Sequence, residues 1–156
     1  MHDIKDLNAD AVIVGFHEDV RPLKGGAGAL DWLLCGALSR LILQNKVRGA
    51  LGEVALLTSR GKIPADKIFM VGLGQWKSSN PELLRAAAHA AAMSAVNAGV
   101  ARAALDCFPL GGVPSDAAVT AVREGLAEGA GTHPIDFTLL APDAAAFEGM
   151  ARVFRA

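Results

Sequence analysis

The sequence predicts an α/β domain of three layers, with a mixed sheet of roughly five strands between helices. Three observations predict it. Short apolar runs of strand length recur along the chain, glycine or proline punctuates the stretches between them, and segments with three- and four-residue apolar spacing alternate with the runs. The chain has 156 residues, which suits one domain over 1–156 that buries roughly 70% of the surface it would expose unfolded. No repeat, low-complexity tract or linker divides it.

Ala11-Val12-Ile13-Val14-Gly15-Phe16 is a continuous apolar run bounded by Asp10 and His17, the pattern of a strand covered on both faces. A loop closes at residues 24–28, and from Leu30 the positions Leu33, Leu34, Ala37, Leu38 and Leu41 keep helical spacing, which predicts one helix as far as about Gln44. Residues 54–57 and 68–73 read as strands whose connection is too short for a parallel crossover, so they are expected to pair antiparallel. Asn80-Pro81 starts a helix, because asparagine accepts from first-turn amides and proline has no amide to leave unsatisfied. That helix runs to about Ala98 with Ala87, Ala88, Ala91, Ala92 and Ala95 inward, and Gly99 stops it.

A fourth strand runs from near Arg102 to Phe108, and a turn through Gly111-Gly112 follows. Ser115 then caps a helix whose inward stripe includes Ala121, Val122, Gly125, Leu126 and Gly129. A fifth strand at 136–140 and a last helix from Pro142 to Arg155 complete five strands and four helices.

Fifteen basic and sixteen acidic side chains leave a net charge of -1 and no broad positive field, which argues against nucleic acid as a partner. Charge or glycine breaks every apolar run well before the length of a membrane span, and the first six residues are polar and acidic, so no membrane association and a cytoplasmic location are expected. Cys35 and Cys107 share no short-spaced motif and read as small buried hydrophobes. His2, His17, His89 and His133 are widely separated, and no serine sits in a nucleophile elbow. No catalytic residue, metal or cofactor is therefore expected.

The order of landmarks carries a resemblance. Ala9-Asp10-Ala11-Val12-Ile13-Val14 is followed by a glycine loop and leucine-rich helix, by Gly49 to Glu53, by Lys67-Ile68-Phe69-Met70-Val71-Gly72-Leu73-Gly74, by an alanine-rich helix and by Val122-Arg123-Glu124-Gly125-Leu126. Together these resemble the amino-terminal domain of the leucyl aminopeptidase family across nearly the whole chain. The resemblance implies a five-stranded sheet between helices, related in fold to macro domains. It also implies that catalysis belongs to a carboxy-terminal domain with two metal ions, whose motifs are absent here, and that the partners are a separate catalytic chain or further copies in a homo-oligomer. An accessory, assembly or regulatory role is the function it implies.

Glycines stand at two helix starts, where free amides could hold phosphate; the pair resembles the way macro domains cradle ADP-ribose, which implies a second role, binding of ADP-ribose or another nucleotide. The candidate residues are Gly25, Gly26 and Gly28 at one start, and Gly111, Gly112 and Ser115 at the other. Short turns also need glycine for backbone reasons alone, so both explanations stand at this point. Trp76, in a polar segment after a strand, is a candidate interface anchor or a ring folded back over the core edge.

Overall fold

Ala11–Phe16 forms β1, and every residue of it is buried in the computed structural model, which describes residues 8–106 and 115–140. The elements that follow are α1 (Gly25–Leu33), α2 (Ala37–Leu43), β2 (Val54–Thr58), β3 (Lys67–Gly72), a 3-10 turn (Trp76–Ser78), α3 (Pro81–Asn97), β4 (Arg102–Asp106), α4 (Ser115–Ala130) and β5 (Asp136–Leu140). The sheet order is β2-β3-β1-β4-β5. As expected, β2 runs antiparallel to β3, with Val54 opposite Val71; the other pairs are parallel.

Side chains alternate across a strand, so β1 supplies two cores. Ala11 and Ile13 join Phe69, Val71, Ala103 and Leu105 under α3 and α4. Val12, Val14 and Phe16 join Ile68, Met70 and Ala104 under α1 and α2. These are the two outer layers of an α/β/α sandwich.

The expected single helix over 30–44 is instead two. Helix α1 begins earlier, at Gly25, and α2 departs from it at 106°. The break is local chemistry: Cys35 and Gly36 adopt positive φ, 55° and 82°, and the Gly36 amide returns to the Asp31 carbonyl. The Asp31 carboxylate then accepts from the Leu38 and Ser39 amides and from the Ser39 hydroxyl, which satisfies the start of α2. The apolar spacing reads through because Leu30, Leu34 and Leu38 face the same core on both sides of the bend. A second correction follows. Cys35 is exposed, because the left-handed turn carries it out of the apolar stripe. Cys107 and the expected helix from Pro142 lie outside the described residues.

Asn80 caps α3 as expected, its side-chain oxygen accepting from the Leu83 amide at 3.0 Å. Helices α3 and α4 meet at almost backbone distance. A Cβ on Gly125 would lie 2.2 Å from the Arg85 carbonyl oxygen, and one on Gly129 would lie 2.4 Å from that of His89, with Ala88 and Ala92 opposite. Over this seam Arg85 faces Glu82 on its own helix and Glu124 and Glu128 on α4. The hydrogen bond and charge of Arg85 hold the Glu128 carboxyl below its ordinary value. No single helix among the described residues is long and apolar enough to cross a membrane; α1 and α2 meet that test only jointly, across their bend.

Two outcomes check this packing. Ala normally favours a helix interior over Gly by about 1 kcal/mol, yet Gly125→Ala is expected to destabilise the chain by about 1–3 kcal/mol, because the seam cannot open without moving a backbone; urea unfolding measures it. Because the folded Glu128 carboxyl titrates below its unfolded value of 4.5, its contribution is complete above that pH and is lost as pH falls through the lower folded value. Glu128→Gln should flatten that acid part of the Tm profile at low salt, and added salt should erase the difference.

Candidate functional site

Parallel strands leave a crevice at their carboxyl ends where successive connections depart to opposite faces. After β1 the chain passes to α1 and α2 on one face, whereas after β3 it passes to α3 on the other. The carboxyl ends of β1, β3 and β4 therefore gather His17, the 72–76 segment, Asp106 and the start of α1.

Gly25 and Gly26 open α1 rather than forming a loop ahead of it. Gly25 has φ +59° and is half of a tight entry that side chains disfavour. A Cβ on Gly26 would sit 2.3 Å from Asp106 Cγ, and one on Gly28 would sit 2.4 Å from the Leu23 carbonyl oxygen. The Gly26 amide donates to Asp106 Oδ2 at 2.9 Å. A carboxylate from β4 thus lies on the positive end of the α1 dipole, the position an external anion would otherwise favour. Gly111 and Gly112 lie outside the described residues; Ser115 is the first residue of α4.

On the other side of β1, the chain around Gly74 closes a network. Its carbonyl accepts from the Glu18 amide, and its own amide donates to the Gly49 carbonyl. His17, 2% exposed, places Nδ1 3.1 Å from the same Gly74 carbonyl, so that nitrogen carries the proton. Its ring meets Trp76 edge-on at 5.0 Å, while the Trp76 amide donates to Asp19 Oδ1. Trp76 is therefore folded back on a buried partner and still 39% exposed. Gly72 carries a similar constraint, since a Cβ there would lie 2.0 Å from the Ala50 carbonyl oxygen. The Gly49 to Glu53 approach closes through Glu53 Oε1, which accepts from the Arg48 and Gly49 amides.

Sequence reasoning brought Gly25, Gly26 and Gly28 to this end of the sheet and missed Asp106 and His17 as structural partners. A lone polar residue ending an otherwise apolar strand was the available signal in both cases. It also passed over Trp32, which is 82% exposed. His89 is half-buried on α3, beside Glu128. Among the described residues no group of three or more His, Cys, Asp or Glu side chains could hold a metal ion.

The class this fold defines is a macrodomain-like α/β/α sandwich with its candidate crevice at the carboxyl ends of parallel strands. The chain belongs to the cytosol aminopeptidase family, matching that family's N-terminal domain over residues 13–131. A probable cytosol aminopeptidase of Geobacter sulfurreducens is 35% identical over 120 residues, which cover 76% of this chain and 24% of the relative. The bottromycin maturation enzyme BotP is 25% identical with a TM-score of 0.61, over 94% of this chain and 30% of that one. An Oceanobacillus iheyensis macrodomain solved with ADP is 13% identical with a TM-score of 0.79, over 99% of this chain and 87% of that one. The chain spans about a quarter of the length of the Geobacter relative.

If Asp106 anchors α1, Asp106→Ala should cost about 1.5–3 kcal/mol, the range for a hydrogen bond to a charged group, and should speed hydrogen exchange of the Gly26 amide. Unchanged exchange at Gly26 would show that the carboxylate does not hold the helix.

Proposed function

We propose that this chain is a non-catalytic assembly domain of cytosol aminopeptidase type, working in the cytosol by docking onto a catalytic chain of that family. The observation that carries the proposal is the match of residues 13–131 to the N-terminal domain of that family. Exposed apolar side chains support a role in association: Trp32 is 82% exposed, Leu43 80% and Leu56, on the edge strand β2, 52%. Large apolar side chains of this kind are enriched where one surface meets another. Trp76, edge-on to His17 and 39% exposed, is the second anchor we assign.

Nucleotide binding is the rival role, supported by the ADP-bound macrodomain of the same fold. The Asp106 carboxylate on the Gly26 amide weighs against phosphate at α1, because it already supplies the anion there. ADP-ribose is therefore expected to leave the Tm unchanged, whereas a ligand at 100 times its dissociation constant would add roughly 2.7 kcal/mol.

Light scattering tests assembly directly, on the chain alone and mixed with the catalytic domain of the Geobacter relative. A complex larger than the single chain is expected in at least one case. Trp32→Ala should weaken it by at least about tenfold, as loss of an interface anchor does, without lowering the urea midpoint, since so exposed a ring contributes little to the core. A monomer under both conditions would refute the proposal.

A further inference from the structure

Between α2 and the turn that follows β2 lies an open groove of about 380 Å³, at the small end of the range for ligand sites. Leu34, Leu41 and Leu57 form its apolar floor, and three cations rim it: Arg40 from α2, and Arg60 and Lys62 from the turn. No acidic side chain lines the groove. Among the described residues none of the three cations belongs to an ion pair. The turn is held in place by hydrogen bonds from the Ser59 amide to the Asp66 carbonyl and from the Lys62 amide to the Ser59 carbonyl, so its charges are presented from fixed backbone.

On a chain of net charge -1, three unpaired cations around one hollow repel each other, and an anion placed between them removes that repulsion. Guanidinium groups match the planar geometry of carboxylate and phosphate oxygens. The leucine floor adds a preference for a ligand with an apolar body. We propose that this groove binds a small organic anion, one carboxylate or phosphate group joined to a few apolar carbons, with the anion held by Arg40, Arg60 and Lys62 and the carbons resting on the leucines. The groove lies on α2 and the β2 edge, apart from the crevice, and the proposal does not depend on the assembly role.

Cys35 supplies a reporter, because it lines the groove, is exposed, and has its Sγ 3.8 Å from Lys62 Nζ. Its alkylation can be followed by peptide mapping, which separates it from Cys107. At low salt, anionic iodoacetate should label Cys35 faster relative to neutral iodoacetamide by about tenfold over the ratio seen with N-acetylcysteine, and the preference should fall with added salt. Hexanoate and phenyl phosphate, tested separately, should slow iodoacetamide labelling at concentrations where hexanol and inorganic phosphate do not; whichever protects better identifies carboxylate or phosphate as the preferred headgroup. Arg40→Gln and Lys62→Gln, checked for unchanged urea midpoints, should each weaken that protection about fivefold. The proposal is overturned if hexanol protects as well as hexanoate, if neither organic anion protects, or if the two variants protect like the original chain.

Discussion

The fold depends on β1 being buried on both faces at once. Its residues from Ala11 to Val14 have no exposed surface, and Phe16 has almost none. A strand so placed needs a hydrogen-bonded neighbour on each side and a helical layer above and below, since any missing layer would leave branched apolar side chains in water. The neighbours are β3 and β4, both parallel to β1, and parallel neighbours need long crossovers, which here carry helices. Asp10 helps set where β4 enters, accepting from the Ala101 and Arg102 amides; those two bonds hold its carboxyl below its ordinary value.

The same parallel pairing places the ends of three strands together, and there the chain uses its own groups to satisfy one another. Asp106 answers the Gly26 amide at the start of α1, and His17 and the Glu18 amide answer the Gly74 carbonyl. Gly26 and Gly28, whose pattern suggests phosphate binding, are constrained by close approach to Asp106 and to the Leu23 carbonyl.

Much of this was legible in the sequence, where a feature was local or periodic. The β1 run, the antiparallel β2–β3 pair, the Asn80 cap and the alanine face of α3 all follow from pattern and near-neighbour chemistry. The break between α1 and α2 was hidden because the inward spacing of Leu30, Leu34 and Leu38 survives a sharp bend, and the decisive group, Asp31, looks like any exposed helix residue until its partners are known. The tight α3–α4 seam was half visible: Gly125 and Gly129 marked an inward stripe, but only the structure shows that they face Arg85 and His89 backbone. Asp106 acts across 80 residues of sequence, beyond the reach of any local pattern.

The proposed assembly role assigns peptide hydrolysis to a catalytic partner chain. The most direct measurement is hydrolysis of leucine p-nitroanilide by the purified chain, with manganese, zinc or magnesium supplied in turn and with a chelator as control. An assembly domain without its own metal centre releases no p-nitroaniline above the buffer rate under any of these conditions. Metal-dependent turnover that copurifies with the chain, and that the chelator abolishes, would contradict it.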